Sequence, residues 1–188
     1  MGKNGFQEIQ RITLAERRRS RYVVAYGSNL SLDRMRQRCP SCKVVGTSVI
    51  EGYRLLFKRS MTGAYATIEQ DANCVVPVVI YQISMEDELR LDRYEGCPTY
   101  YYKKELMLQI TRKNGTTMKD RKPCAVYILH EHRLLGEPAM SYFRLLDEGY
   151  ARYGFDTEIL DQGLSASIGF RAAEKYIEEY VHEMGGAV

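Results

Sequence analysis

The sequence lacks tryptophan, and it has no apolar run long enough to cross a membrane as a helix. Its first residues do not include the apolar core of a secretory signal peptide. These absences argue against a membrane-spanning or secreted protein, so we expect a cytoplasmic one. The 188 residues also lack an internal repeat or a low-complexity linker. A chain of this length and ordinary apolar content predicts one domain with a substantial core.

Cysteine occurs in an odd number, five, which favours reduced thiols over a disulfide framework. Cys39 and Cys42 form a CxxC motif, but a predicted helical segment precedes it and a strand follows. A redox CxxC has the opposite order, because the helix N-terminus lowers the pKa of the thiol. A zinc site would need more ligands than His130 and His132 provide, and the sequence has no second CxxC. We therefore favour structural cysteines over a redox or zinc site.

A strong charge of one sign is absent as well, because the net charge is only +3. The excess lies in Arg17–Arg21, which is more typical of a solvated helix end than of a nucleic-acid contact. No alternation of aromatic and basic residues, which would stack nucleobases, accompanies this run. We expect no nucleic-acid partner. Residues 1–20 are predicted to form a basic helical extension that packs on the protein body or on a second copy, as in a homodimer.

The sequence does have short β-branched and aromatic runs separated by turn residues. Pro77 lies inside one run, which predicts an edge position or a bulge there. Most of the fifteen tyrosines are expected to be half-buried strand residues, with a tyrosine-lined pocket as the alternative. The pattern predicts an α+β fold with a mainly antiparallel sheet, closed or nearly closed into a small barrel. The predicted strands are Val44–Ile50, Tyr53–Lys58, Ala64–Glu69, Val75–Ile83, Tyr102–Thr111 and Cys124–Leu129.

One helix interrupts these strands, and its last residue is an acid. Ser84 and Asp87 form a capping pattern at its start, and Gly96 is suited to end it. Glu95 would then lie at the negative end of the helix dipole, where a carboxylate is unfavourable. Partial burial at that place would raise the pKa of the carboxyl group, as a general base requires. The alternative is a surface glutamate at a frayed helix end.

The last third of the chain is predicted to be helical. One helix is expected from Pro138 to Gly154, and Asp156 is expected to cap a short helix after it. A final helix is expected to end before Gly185.

A polar turn follows the first predicted strand. The apolar run Tyr22–Ala25 stops at Gly27-Ser28-Asn29, and a helix start follows with Ser31 as its cap. Strand, tight turn and helix start together direct several backbone N–H groups toward one point, which predicts a cradle for a carboxylate or phosphate. An ordinary turn is the alternative, since glycine, serine and asparagine are common turn residues.

Three separated segments resemble the gamma-glutamylcyclotransferases and their AIG-type relatives in plants and bacteria. They are Ala25–Leu30, then Leu91–Gly96 followed by Tyr102, and then Pro138 followed by Tyr142 in a helix. The resemblance implies a small, mainly antiparallel β-barrel surrounded by helices. We assign this domain to residues 21–155, preceded by the extension 1–20 and followed by packed C-terminal helices at 156–188.

The resemblance also implies an enzyme that releases 5-oxoproline from a gamma-glutamyl amide by intramolecular cyclisation, with no metal or cofactor. Glu95 would act first as base and then as acid. The other site residues implied bind the substrate: Tyr26, Gly27, Ser28 and Asn29 through the turn, and the pocket tyrosines Tyr102 and Tyr142.

Two other interpretations remain open at the level of sequence. The leaving group is not defined, and it is an amino acid, the ε-amine of a lysine, or the amine of a glutamyl-protected metabolite. The second interpretation is a non-catalytic protein that binds a small carboxylate in the same pocket. Such a protein has no use for an acid at position 95.

Overall fold

The computed structural model describes residues 20–185. Within that range, six strands form one sheet in the order β4-β6-β1-β3-β2-β5. The strands are β1 (Ser20–Ala25), β2 (Lys43–Arg59), β3 (Ala64–Ser84), β4 (Tyr101–Leu108), β5 (Thr111–Arg112) and β6 (Lys122–Leu129). The helices are α1 (Leu32–Arg38), α2 (Met85–Tyr94), α3 (Met140–Tyr153), α4 (Glu158–Ile168) and α5 (Phe170–Gly185), and a 3₁₀ turn covers Ser28–Leu30. The predicted basic extension lies outside the described residues except for Ser20, which begins β1.

The predicted strands of the central hairpin join into two long ones. β2 and β3 pair antiparallel over most of their length, and their register shifts between Glu51 and Tyr53. Gly52 lies at that shift with φ of 74°. A glycine in the left-handed conformation allows a bulge in which the strand continues, whereas the sequence pattern predicts a turn there. The predicted break between Glu69 and Val75 is likewise bridged by continuous strand.

The expectation of a closed barrel is wrong. β4 and β5 are the two edges of the sheet, and no ladder joins them in the part of the chain that the structure describes. They follow one another in sequence, so Gln109 and Ile110 carry the chain from one edge to the other. The carbonyl of Gln109 accepts a hydrogen bond from the Ser48 hydroxyl at 2.7 Å instead of joining a ladder. The sheet is also mixed, because β1 and β6 run parallel.

Pro77 lies where only one neighbouring strand is present. It pairs with Val49 of β2, while β1 ends opposite Val79 and does not reach it. The missing N–H of proline therefore removes no ladder bond to β1, which explains how this central strand tolerates the residue.

Helix α2 has the predicted ends. The Ser84 hydroxyl accepts a hydrogen bond from the backbone N–H of Asp87 at 3.1 Å, and Glu95 is the C-cap. Gly96 follows with φ of 62°. These local signals bring an acidic side chain to the carboxyl end of the helix.

Ser31 is the N-cap of α1, as predicted, although its side chain makes no capping hydrogen bond. The next two helices start one or two residues away from the predicted positions. Helix α3 begins at Met140 and not at Pro138, because Ala139 is still extended. Thr157, not Asp156, is the N-cap of α4, although the Asp156 carboxylate accepts a bond from the N–H of Glu158 at 3.0 Å. Helix α5 includes Gly185.

The CxxC segment packs against the start of α2. Cys39 is buried, and its thiol contacts the carbonyl of Asp87 at 3.5 Å. Burial raises the pKa of this thiol to about 12, so it stays protonated. The carboxylate of Asp87 accepts hydrogen bonds from both the backbone and the hydroxyl of Ser41. Residues 20–185 hold no group of three or more His, Cys, Asp or Glu side chains arranged to bind a metal ion.

None of the helices in residues 20–185 is long and apolar enough to span a membrane.

Helix α4 packs against β2. The Ser167 hydroxyl accepts a hydrogen bond from the N–H of Phe57 at 2.8 Å and donates to the carbonyl of Gly163 at 2.6 Å. A Cβ at position 163 would lie 3.1 Å from the Leu55 carbonyl oxygen. The small residue therefore brings the helix close to the strand.

Helix α3 makes a similar close approach to the polar turn. A Cβ at Gly149 would lie 2.7 Å from the Cβ of Leu30, and Leu30 is fully buried. The glycine therefore sets how near α3 comes to the Ser28–Leu30 turn.

We expect Gly149→Ala to lower the free energy of unfolding. Overpacking a core costs about 1–3 kcal/mol, which exceeds the gain of about 1 kcal/mol from replacing a helical glycine. Urea denaturation measures the difference. Gly185→Ala is the control, since no atom of residues 20–185 lies within 4 Å of a Cβ added there, and it should be no less stable than wild type. Equal stability of the two variants would contradict the packing argument.

Candidate active site

The polar turn begins directly after β1. Tyr26 is buried, and its hydroxyl donates to the carbonyl of Tyr127 in β6. The chain then tightens, with the N–H of Leu30 donating to the carbonyl of Gly27 at 2.9 Å. Anchored at Tyr26 and Leu30, the residues between them face a small cavity.

Two backbone N–H groups of this turn are available to a ligand. Residues 20–185 supply no hydrogen-bond partner to the N–H groups of Ser28 and Asn29. The first N–H groups of any helical turn lack an internal partner, and here both residues line the cavity. The turn is therefore able to donate to an anionic oxygen.

Glu95 faces this turn from the end of α2. The Asn29 side-chain nitrogen donates to Glu95 Oε1 at 3.1 Å. Burial raises the pKa of the Glu95 carboxyl above its usual range, and the Arg38 charge and the Asn29 hydrogen bond oppose this increase only in part. The acid predicted at the helix end thus lies in the cavity with the environment of a general base.

Arg38, at the end of α1, holds the turn and the helix end together. Its guanidinium donates to the Ser28 hydroxyl at 2.9 Å and to the side-chain oxygen of Asn29. It also donates to the Tyr94 hydroxyl and lies 3.8 Å from the centre of that ring. Because Arg38 engages the oxygen of Asn29, the amide nitrogen is the end that is turned toward Glu95.

Sequence reasoning gave Arg38 no role in the site. Nothing in its local pattern distinguishes it from its exposed neighbours Arg34 and Arg36. Only the tertiary contacts with Asn29 and Tyr94 identify it.

Tyr142 enters the cavity from α3. Its hydroxyl accepts a hydrogen bond from the N–H of Ala66 at 3.1 Å, and burial raises the pKa of the hydroxyl. A Cβ at Gly27 would lie 3.2 Å from the Tyr142 hydroxyl oxygen. The absence of a side chain at Gly27 therefore leaves room for this tyrosine beside the turn.

Tyr102 does not line the cavity, and this placement corrects the prediction. Its hydroxyl donates to Glu131 away from the turn. Successive residues of a strand point to opposite faces, so the preceding residue of β4, Tyr101, takes the place beside Glu95. The alternation was visible in the sequence, but which of the two faces meets the cavity was not.

The site consists of two connected spaces. The inner cavity has a volume of about 40 Å³ and the adjoining outer chamber about 490 Å³. Both are lined by Ser28, Glu95, Tyr101 and Tyr142. The structure thus brings together six of the seven predicted site residues: Tyr26, Gly27, Ser28, Asn29, Glu95 and Tyr142.

A larger groove of about 660 Å³ lies elsewhere, between β2, β4 and the end of α3. Its charged lining residues are Glu51 and Arg121, and it includes none of the residues around Glu95. Volume alone would favour this groove, whereas the partly buried acid with its raised pKa and the available N–H groups favour the inner cavity.

Comparison with known proteins identifies the family. The family model described as gamma-glutamyl cyclotransferase, AIG2-like, matches residues 23–144. A search of curated proteins found no significant match.

Solved structures share the fold. A gamma-glutamyl cyclotransferase superposes with a TM-score of 0.65 and 23% identity over 77% of this chain and 86% of its own. An uncharacterized protein from Homo sapiens superposes with a TM-score of 0.64 and 24% identity, over 76% of this chain and 85% of its own. A yeast gamma-glutamyl cyclotransferase specific to glutathione superposes with a TM-score of 0.56 and 13% identity, over 86% of this chain and 96% of its own.

The family match covers β1, the polar turn, α2 with Glu95 and the start of α3 with Tyr142. The chain therefore belongs to the gamma-glutamyl cyclotransferase, AIG2-like family.

Proposed function

We propose that this protein is a gamma-glutamyl cyclotransferase, which releases 5-oxoproline and a free amine or amino acid from a gamma-glutamyl amide. The observation that carries the proposal is the partly buried Glu95 carboxyl group, held by Asn29 beside a turn whose N–H groups are available. Membership of the family and the fold shared with known cyclotransferases support it.

The reaction makes modest demands on a protein. The glutamyl α-amine attacks the γ-carbonyl carbon of the same molecule, the C–N bond of the amide breaks, and the five-membered ring closes. No water is consumed, and no electrons are transferred to another molecule. Because nucleophile and electrophile belong to one substrate, holding that substrate in a curled conformation supplies much of the rate.

Glu95 carries both proton transfers in this proposal. Its carboxylate accepts a proton from the substrate ammonium, which frees the amine to attack. The same group then gives the proton to the departing nitrogen. A carboxyl group with a raised pKa suits both steps, since it lies nearer to the pH at which the reaction runs.

The turn and the tyrosines hold the rest of the glutamyl group. The N–H groups of Ser28 and Asn29 would bind the substrate carboxylate or the negative oxygen that forms during ring closure. Tyr101 and Tyr142 line the same cavity. Their raised pKa values keep them protonated and able to donate.

Asn29 and Arg38 set the state of the base. Arg38 fixes the orientation of the Asn29 amide, and Asn29 donates to Glu95. Both favour the ionised carboxylate against the effect of burial. The pKa of Glu95 is therefore raised, but by less than burial alone would raise it.

We expect Glu95→Gln to abolish 5-oxoproline release while the protein still folds, because glutamine retains the acceptor for Asn29 but moves no proton. Chromatographic assay of 5-oxoproline with a panel of gamma-glutamyl amides measures it. Glu86→Gln, on the exposed start of the same helix, should retain full activity. Turnover by Glu95→Gln would reject this base, and a wild-type protein that binds these amides without turnover would favour the binding-only alternative.

The melting temperature of the same variant should depend on pH differently from that of the wild type. Since burial raises the pKa of Glu95 in the folded state, this group stabilises the fold at low pH, and the contribution is lost as the pH rises through that pKa. The melting temperature of Glu95→Gln relative to wild type should therefore increase as the pH rises above about 4.3, the ordinary pKa of a glutamate, and should level off above the pKa of the folded state. Scanning fluorimetry at several pH values measures it, and a constant difference would contradict the burial of this acid.

The acid limb of the pH–rate profile should depend on Arg38. Activity requires the carboxylate of Glu95, so it rises as the pH increases through the Glu95 pKa. Arg38→Met removes a charge that lowers this pKa, and the limb should move to higher pH. Arg36→Met, a control on the same helix, should leave the limb in place. Profiles of kcat/KM measure the shift, and identical profiles would reject the role of Arg38.

The neighbouring tyrosines of β4 provide a matched pair. Tyr101→Phe removes a hydroxyl from the cavity, and losing one hydrogen bond of about 0.5–1.5 kcal/mol should lower kcat/KM by about two- to tenfold. Tyr102→Phe removes a hydroxyl that bonds Glu131, so its kcat/KM should stay close to wild type. The reverse order of effects would place the substrate on the other face of β4.

A further inference from the structure

We propose that Tyr127 is a positioning residue for the cyclisation, which acts through Asp92 to hold the Glu95 carboxyl group against the polar turn. The inference rests on the proposed function and adds a residue for which the sequence pattern predicts no role. Tyr127 moves no proton in this proposal. Its part is to keep the helix end that carries the base in place.

Tyr127 contacts both halves of the site. This residue of β6 is buried and lines the inner cavity. Its backbone carbonyl accepts the hydrogen bond from the Tyr26 hydroxyl at the start of the polar turn. Its own hydroxyl donates to Asp92 Oδ1 of α2 at 2.5 Å. One residue of the sheet therefore connects the turn that would bind the substrate with the helix that carries the proposed base.

Asp92 lies in the last turn of α2, three residues before Glu95. Backbone hydrogen bonds tie this turn together. The N–H of Glu95 donates to the carbonyl of Leu91 at 2.9 Å, and the N–H of Cys97 donates to the carbonyl of Asp92 at 2.8 Å. Because these bonds make the turn move as one unit, a displacement of Asp92 would displace Glu95 as well.

A second side chain of the sheet binds the same carboxylate. Lys103 of β4 is the strand partner of Tyr127. Its ammonium group lies 2.9 Å from Asp92 Oδ1 and 2.9 Å from Glu88 Oε1, one turn earlier in α2. Burial raises the pKa of the Tyr127 hydroxyl, so the hydroxyl stays protonated and donates alongside the lysine. The two donors together fix the last two turns of α2 on the sheet.

The distance between Asn29 and Glu95 is sensitive to the position of this helix end. The Asn29 side-chain nitrogen lies 3.1 Å from Glu95 Oε1. Hydrogen bonds of this type extend to about 3.2 Å, so a shift of about half an ångström would break the bond. The contact between Tyr127 and Asp92 therefore protects both the place of the base and the hydrogen bond that lowers its pKa.

The test removes one hydroxyl group. Tyr127→Phe keeps the ring and the carbonyl that binds Tyr26, and it loses the bond to Asp92. The substrate is the gamma-glutamyl amide of the panel that the wild type converts fastest. We expect kcat to fall by about three- to tenfold at nearly constant KM, because the base is misplaced while the turn still binds the substrate.

The pH–rate profile separates positioning from a contribution to stability alone. The Asn29 hydrogen bond lowers the pKa of Glu95, and a displaced helix end weakens it. The acid limb of the kcat profile of Tyr127→Phe should therefore move to higher pH. A residue that only stabilises the fold would lower the melting temperature and leave this limb in place.

Tyr53→Phe is the matched control. Tyr53 is buried in β2, and its hydroxyl accepts a hydrogen bond from Lys104 at 2.8 Å. It is not among the residues that line the inner cavity. This variant also loses one hydroxyl bond of a buried tyrosine, so its melting temperature should fall to a similar extent. Its kcat and its acid limb should remain those of the wild type.

A double-variant cycle tests the route through Asp92. Asp92 is partly exposed, so Asp92→Asn should fold, and it should lower kcat because a neutral amide binds Tyr127 and Lys103 less strongly. If Tyr127 acts through Asp92, Tyr127→Phe/Asp92→Asn should be no more impaired than Asp92→Asn alone. Losses in kcat that multiply would reject this route, and wild-type kcat in Asp92→Asn would reject it as well.

The outcomes separate the two proposals. Wild-type kcat and an unmoved acid limb in Tyr127→Phe would overturn the positioning role and leave the cyclotransferase proposal intact. A rise in KM at unchanged kcat would also overturn it, since the hydroxyl would then serve substrate binding. Absence of 5-oxoproline from the wild type with every amide of the panel would overturn the proposed function, and this inference with it.

Discussion

The site depends on holding one partly buried carboxyl group at the carboxyl end of a helix. Burial and the helix dipole both disfavour the ionised form of Glu95, and folding alone would select a different residue there. Asn29 and Arg38 offset part of that cost by a hydrogen bond and a positive charge. With its raised pKa, Glu95 is better suited than an exposed glutamate to exchange a proton near neutral pH. The placement that disfavours its ionised form therefore supports the proposed chemistry.

Close packing places the partners of that carboxyl group. Gly149 lets α3 approach Leu30, and Gly27 leaves space for the Tyr142 hydroxyl. Both are positions where an added methyl group would meet a buried neighbour. Since protein interiors are densely packed, the distance between α3 and the polar turn is set by these two small residues. The same helix that completes the core therefore also completes the cavity.

Much of the fold was predictable because its signals are local. The Ser84 cap and Gly96 define α2 and place Glu95 at its end, and the pattern at Tyr22–Asn29 gave a strand followed by a turn. Predictions failed where a local signal was ambiguous. A glycine such as Gly52 is compatible with a bulge as well as with a turn. A series of predicted antiparallel strands does not reveal whether the two edge strands pair and close the sheet into a barrel. The open sheet followed from pairing between residues distant in sequence.

The sequence by itself determined the family, the order of the elements and the acid at the helix end, since each depends on residue types at fixed spacing. Tertiary structure decided that Tyr101 and not Tyr102 lines the cavity, because alternation defines two faces without saying which one is covered. It likewise decided that Arg38 contacts Asn29, while Arg34 and Arg93 face the outer chamber. Three arginines of one chemistry acquire different positions only when α1 and α2 pack side by side around the same turn.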